Sequence, residues 1–491
     1  MNITPIFSKE FHIQTLSKKR RSPAQKLADR WHEIKSKRID QLGVFFKPFI
    51  PQHLLKKSKK GDLSRGRIFD KSTTFWTFFS QLMDSDGSCS MMVSKLRACF
   101  AIRSSIPISS STGAYCRARK KLKEEEIQAV LDHTIKGLEK EDKKVFSGRR
   151  VVVVDGTGLT ASDTKKNQKE WPQDSQQKEG CGFPSLRICA CFSLRTGGVL
   201  SYRIGNKKSH ELPLFRDQWD EVFQENDILL GDKMFSNYFD IAMLKKRKVD
   251  SVTTLRSIRR KPIKQAKSYK KLGGNDLLVI WKKPAWNKKA AYTREKWEEL
   301  PETLIVRQIK ISVQSNGFRT KSFYIITSLL DPIGHPANEL AELYFRRWEV
   351  ELNFKDLKTT MGMDELRCKT PDMVKKEVIM YFIVYNAMRW VISKAAQKHD
   401  KDPMRISFKG TLQDLRNWEA LFNSPKLTAQ DKRKLIAELY QGIARRIVPH
   451  RPNRQEPRCL KRRHKNYQLL TQPRSTMKEI KHRSTYRAKT A

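Results

Sequence analysis

Residues 151–160 read VVVVDGTGLT, and the reading of that run decides the fold. Four β-branched residues in succession, with nothing polar between them, fit a strand buried on both faces, as in a sheet covered by helices. The glycines that follow punctuate the run, so Asp155 is expected at the strand's end. Working downstream, a polar loop (164–182) leads to strands around LRICACFSL (186–194) and VLSYRIG (199–205) and a helix over 210–223. Then come the strand DILLGDK (227–233), a helix over 236–247 and the strand DSVTTLR (250–256). The resulting order, β-β-β-α-β-α-β, predicts a mixed α/β domain.

The pattern changes again after that strand. Residues from 257 to about 329 are basic at first and then alternate apolar and polar in DLLVIW, TLIVRQIKISV and KSFYIITSL, which predicts inserted β structure. Helix resumes near Pro336. Upstream of the first strand, 71–143 has helical periodicity. A serine-rich start there precedes a helix bearing Arg117, Arg119, Lys120 and Lys121, which fits either a helix-turn-helix-like recognition helix or a solvated basic face. These breaks divide the chain into a basic N-terminal DNA-contacting arm (1–70) and a helical DNA-binding region (71–145). A core over 146–260 and 330–400 follows, with a β-rich insertion over 261–329 and a basic C-terminal region over 401–491. Within the arm, basic clusters at Lys18–Arg21 and Lys56–Lys60 flank a predicted helix over 23–42.

Charge narrows the partners. The 491 residues hold 99 Lys and Arg against 52 Asp and Glu, a formal +47, while 38% hydrophobic residues and ten tryptophans call for a folded chain. Self-repulsion on that scale asks for a polyanion, and nucleic acid is the leading one. The longest apolar run, VIMYFIV (378–384), is far short of the roughly 20 residues a membrane span needs, and no secretory signal pattern opens the chain. An intracellular, non-membrane protein is expected. The eight cysteines show no paired CxxC, and Cys189 and Cys191, on one side of a strand, are expected to be buried core residues.

The chemistry rests on three acids. Asp155 and Asp232 each fall at the end of a hydrophobic strand, where a side chain can project into a cleft. Either alone is also an ordinary turn signal. The third, Glu351, lies in AELYFRRWEVELNFKDLKTTMG (341–362) with Tyr344, Arg347 and Lys358. At about 100° per residue these four fall within one arc of about 60° on a single helix and span roughly 21 Å. Phe345, Trp348 and Leu352 on one side and Leu343, Val350, Phe354 and Leu357 on the other are expected to pack, leaving a polar strip between two apolar faces. Three carboxylates in one pocket require hard cations, and oxygen donors select two Mg²⁺ or Mn²⁺ ions suited to in-line displacement at phosphorus. Arg347, Lys358 and Tyr344 suit DNA phosphate oxygens.

These blocks resemble the DDE transposases of the insertion-sequence-4 type, related to the bacterial transposon-five transposase. VVVVDGTGLT, LLGDKMFSNYFD and YFRRWEVELNFKDLK look like that family's three acid-bearing segments in order, the last carrying its Y-x2-R-x3-E-x6-K signature. Lys233 departs from the arginine usual after the second aspartate. The likeness extends over about 106–470, through SSTGAYCRARKKL, WPQDSQQKEGCGFPSLR and RPNRQEPRCLKRRHKNYQLL. It implies an RNase H-like catalytic core with a β-rich insertion, catalytic and metal-binding roles for Asp155, Asp232 and Glu351, and phosphate contacts by Tyr344, Arg347 and Lys358. It also implies metal-dependent cleavage at the inverted-repeat ends of an element, strand transfer into target DNA, and a synaptic homodimer. The family's best-known members pass through a DNA hairpin supported by an aromatic residue in the insertion, for which Trp281, Trp286 and Trp297 are candidates.

The C-terminal stretch from Ile443 holds 15 Lys and Arg against two Glu, a composition for DNA contacts, dimer contacts or a flexible tail. His210, ahead of HELPLFRDQW, has no ligand partner at useful spacing and is expected to cap or pack. An RNase H-like nuclease, or a DNA-binding regulator derived from a transposase, remains the alternative function.

Overall fold

The computed structural model describes residues 43 and 45–477, apart from 58, 65–66, 102–107, 142–144, 176, 207–208, 256–267, 288–291, 316–317, 423–427 and 450–469. The predicted helix over 23–42 and the cluster at Lys18–Arg21 lie outside the described residues, as does most of the basic C-terminal stretch. The chain forms two compact units, one from 1–123 with 417–432 and one from 124–416 with 433–491.

The first unit is helical, with α1 (Lys71–Met83), α2 (Cys89–Ala101) and α3 (Gly113–Lys121). Helix α1 begins where the Asp70 carboxylate accepts the Thr73 N–H at 2.9 Å, satisfying a donor that the first turn leaves open. Its aromatic run packs inward: Phe75, Trp76, Phe78 and Phe79 are all buried. Phe46 stacks on Trp76 with centroids 6.3 Å apart, and Phe49 and Ile50 are buried as well. Residues 45–50 are therefore part of this core and not of an extended arm, because FFKPFI is too apolar to stay in water. The basic helix α3 also divides its charges. Arg119 turns in, over the Phe78 and Tyr115 rings at 4.9 and 5.1 Å and donating to Gln81 Oε1, while Arg117 stays exposed.

The second unit starts with α4 (Glu124–Glu139), whose Ile127, Val130, Leu131 and Leu138 are buried. It packs on the long helix α12 (Pro371–Lys398), where Asn386 reaches Thr134 at 3.4 Å and Lys394 pairs with Glu141 at 2.7 Å. Between them in sequence run β1 (Val151–Ala161), α5 (Lys165–Glu170), β2 (Ser185–Ser193), β3 (Val199–Asn206), α6 (Glu211–Arg216), α7 (Trp219–Val222), β4 (Ile228–Leu230), α8 (Tyr238–Lys246) and β5 (Asp250–Thr254). The five strands follow in the expected succession, but α5 stands in the expected polar loop after β1, and the helix expected over 210–223 is two short ones, α6 and α7. The expected end of β1 does not hold: the strand continues past Asp155 to Ala161, because β2 pairs with it through Thr160 and the two glycines sit inside the ladder.

The insertion supplies β6 (Ser268–Gly273), β7 (Asp276–Lys282), α9 (Arg294–Glu298), β8 (Thr303–Ser315) and β9 (Phe318–Thr327). It does not make a separate sheet, since β9 pairs antiparallel with β5 and the order runs β3-β2-β1-β4-β5-β9-β8-β7-β6. Strands β1, β2 and β3 are antiparallel neighbours, whereas β1, β4 and β5 run parallel. A buried ion pair ties the insertion together: Arg307 on β8, fully buried, meets Asp276 on β7 at 2.6 Å and donates to the His335 carbonyl at 2.7 Å. Helix then returns as α10 (Ala337–Phe345), a 3-10 turn (Arg346–Trp348), α11 (Glu349–Lys355) and a π turn (Asp356–Thr360). After β10 (Glu365–Leu366), which pairs with β1, α12 is followed by α13 (Phe408–Phe422) and α14 (Ala429–Arg445). No helix among the described residues is long and apolar enough to cross a membrane.

Candidate active site

Register places the two aspartates. Strands β1 and β4 are parallel, and Val153 pairs with Leu230. Two residues further along each strand direction stand Asp155, inside β1, and Asp232, just past the end of β4, so the two lie at the same level on neighbours about 4.8 Å apart. Asp232 follows the end of β4 and is fixed by a turn in which its Oδ1 accepts the Met234 N–H at 2.6 Å. Burial pushes Asp155 up to about 6, against the pull of the Gly156 N–H that its carboxylate accepts at 2.8 Å. The charge of Asp232 raises it further, Arg347 opposes, and Glu211 adds to the rise.

Glu211 is the site residue that sequence reading passed over. It begins α6, its carboxylate pairs with Arg187 at 3.4 Å, and it packs on the β1 backbone where Gly156 has no side chain. Nothing in its local pattern marks it, because an acid in a helix's first turn is common. Its neighbour His210 is exposed at the N-cap position and makes no side-chain cap bond, so the expected capping or packing role is not the one it has.

Glu351 arrives on α11, which contacts from the helix and the turn after it to β1, β2 and α12 hold in place. Phe354 meets Phe192 of β2 edge-on at 5.1 Å. Asn353 accepts from the fully buried Arg389 of α12 at 2.7 Å, and Lys358 reaches back to β1, 3.0 Å from the Gly158 carbonyl and 3.3 Å from Thr157 Oγ1. Tyr344 is tied to the end of β5 through Thr254 Oγ1 at 3.2 Å. Arg347, with only 11% of its side chain exposed, touches the Glu351 carboxylate at 3.4 Å, lies 5.2 Å over the Trp348 ring, and keeps a buried Nε without a hydrogen-bond partner.

The single expected helix is broken by the 3-10 and π turns, which shift its register. Leu343, Val350, Phe354 and Leu357 are buried as expected, but Phe345, Trp348 and Leu352 are 43%, 58% and 54% exposed. That second face is only partly covered: Phe345 meets the Phe323 ring of β9 edge-on at 5.8 Å, and Trp348 lies against Arg347. The structure thus brings Asp155, Asp232, Arg347 and Glu211 into electrostatic contact, with Glu351 beside Arg347 and half exposed. Among the described residues no three acid, histidine or cysteine side chains stand close enough to hold a metal ion.

Residues 146–387 match the family described as "Transposase DDE domain", a span from just before β1 into α12 that includes all three acids. The chain is also 25% identical over 267 residues to the transposase InsG for insertion sequence element IS4 of Escherichia coli (strain K12). The chain carries a DDE transposase domain of the insertion-sequence-4 type. The alignment with InsG covers 54% of this chain and 57% of that protein, so the chain spans little more than half the length of that relative. Among solved structures, the cryo-EM structure of the piggyBac transposase synaptic complex with hairpin DNA shares 12% identity at a TM-score of 0.45, over 85% of this chain and 87% of that one.

Within the DDE domain the remaining sequence candidates fall into the core. Trp281 and Trp297 are buried, and Trp286 packs half-buried against the same cluster. Cys189 and Cys191 are fully buried on β2, and burial raises both thiols well above their ordinary value, so they behave as the small hydrophobes expected.

Proposed function

We propose that this chain catalyses DNA transposition, cleaving at the ends of its own element and joining the freed 3′-hydroxyl to target DNA. The observation that carries this reading is the level placement of Asp155 and Asp232 on adjacent parallel strands, with the Glu351 helix braced on the same β1 by Lys358. The strand order β3-β2-β1-β4-β5, antiparallel on one side of β1 and parallel on the other, supports an RNase H-like core. The formal +47 supports double-stranded DNA as the partner.

The donors fit divalent metal. Two carboxylates side by side, one of them pushed up by burial and by its neighbour's charge, form a site whose repulsion a hard cation relieves. Asp155 and Asp232 would hold two Mg²⁺ or Mn²⁺ ions, with Glu351 completing the set. When bound, such ions activate an attacking water or hydroxyl and stabilise the leaving oxygen. The protein's own groups do the positioning. Arg347 has an unpaired buried Nε and a weak 3.4 Å contact to exchange for a phosphate oxygen. Lys358 and Tyr344 hold β1 and β5 in place and lie along the path that a DNA backbone would follow past Glu351. A homodimer pairing two element ends and basic terminal regions contacting DNA complete the proposal.

The test is a cleavage assay on the element's own ends in Mg²⁺. Asp155→Ala, Asp232→Ala and Glu351→Ala are each expected to abolish cleavage while end binding persists in a gel shift. A variant that still cuts removes its residue from the proposed set.

A further inference from the structure

We propose that the first unit contains a pocket for one unpaired nucleotide of the DNA strand, an inference that rests on the DNA-binding reading above. A half-open cavity of about 940 Å³ lies beside α3, within the range of roughly 300–1,000 Å³ typical of pockets that enclose small ligands. Its lining combines two chemistries. Arg67, Arg117 and Lys121 supply positive charge, and Ser109 and Ser111 supply hydroxyls before the start of α3. Phe69 and the small residues Ala114 and Ala118 supply apolar surface.

The cations are available. Among the described residues Arg67 and Arg117 have no ion-pair partner, and Lys121 meets only the exposed Asp62, at 2.7 Å with both side chains about half in water. An exposed pair of that kind is worth little and yields readily to phosphate. Phe69 is held against Tyr115 with centroids 5.5 Å apart, and the Tyr115 hydroxyl is fixed on Gln81 at 2.7 Å, so the aromatic surface is preorganised.

A phosphate site alone needs no apolar lining, and a paired duplex is convex, with its base faces hidden in the stack. An extruded nucleotide offers both an anionic phosphate and an exposed π face, which match the charged and the apolar parts of this lining.

The experiment uses the full chain and two fluorescein-labelled duplexes of one sequence, one fully paired and one with a single unpaired thymidine. Wild type is expected to prefer the bulged duplex about tenfold, or ~1.4 kcal/mol. Ala114 is exposed on α3, so Ala114→Trp fills the pocket without a core change. It is expected to erase the preference while binding paired duplex as wild type does, with an unchanged circular dichroism spectrum. Equal affinity of wild type for both duplexes, or a preference that survives Ala114→Trp, overturns the pocket. Excess free thymidine monophosphate is expected to weaken the preference, because it carries the same phosphate and base and competes for the pocket. Wild-type affinity for the paired duplex reports separately on DNA binding.

Discussion

The carboxyl carbon of Glu211 lies 2.4 Å from the point where a Cβ on Gly156 would stand. That contact alone favours glycine there, since its backbone is an ordinary strand. Gly156→Ala must push Glu211 off β1 directly beside Asp155. A loss of Mg²⁺-dependent cleavage of tenfold or more is expected, about 1.4 kcal/mol in barrier. Gly158→Ala is the control, because a Cβ there meets only the Leu186 carbonyl at 3.9 Å. Cleavage rates for the two variants decide the matter, and equal rates would show that the Glu211 contact is incidental.

Asp155 costs the metal-free protein stability at neutral pH. A carboxyl raised to about 6 in the folded state favours folding most when protonated, below its unfolded value near 4, and that contribution disappears as pH rises through 6. Asp155→Asn, neutral at every pH, is therefore expected to be more stable than wild type in EDTA at pH 7.5, by roughly 1–3 kcal/mol. The difference should vanish near pH 4. Urea unfolding at the two pH values checks it.

Metal should reverse that order. Mn²⁺ at about 100 times its dissociation constant stabilises a folded protein by about 2.7 kcal/mol. The thermal midpoint of wild type is expected to rise with Mn²⁺ and fall back with EDTA, while Asp155→Asn and Asp232→Asn stay flat. A rise of equal size in all three would place the ion elsewhere.

The Arg307–Asp276 pair predicts an asymmetric response. Asp276→Ala leaves a fully buried guanidinium with only backbone carbonyls for partners, and a loss of about 3–5 kcal/mol is expected. Replacing both residues together, as in Asp276→Leu with Arg307→Met, should recover most of it. Tryptophan fluorescence in urea measures each midpoint, and a double variant no better than the single one would show that the pair's worth lies in geometry.

The succession of strands along the core was legible because burial and periodicity agree there: VVVVDGTGLT, LRICACFSL and DILLGDK each hold enough β-branched or apolar residues to settle their state. The end of β1 was not legible, since Gly156 and Gly158 read as punctuation although both lie inside the ladder, Gly156 leaving room there for Glu211. Asp155 and Asp232 became a pair only through register, a property of two strands that neither sequence segment contains. The Glu351 helix was legible as a helix but not in its 3-10 and π turns, the second of which brings Lys358 to β1 and Asp356 to Arg389 of α12, partners far away in sequence. Glu211 stayed hidden for the same reason. Arg119 shows the opposite error, in which a basic helix face loses one of its charges to an aromatic core.

Near the C-terminal end of the chain, Arg474 donates to the carbonyls of Gly180 and Gly182 and pairs with Asp163, closing the polar loop between β1 and β2. Asp163 and Arg474 are 311 residues apart. At about 5–20 residues per second, translation needs roughly 15–60 s to go from one to the other. The loop beside β1 thus cannot be latched on a nascent chain until residue 474 has been made, so a chain released before that point can carry all three acids yet lack this clasp.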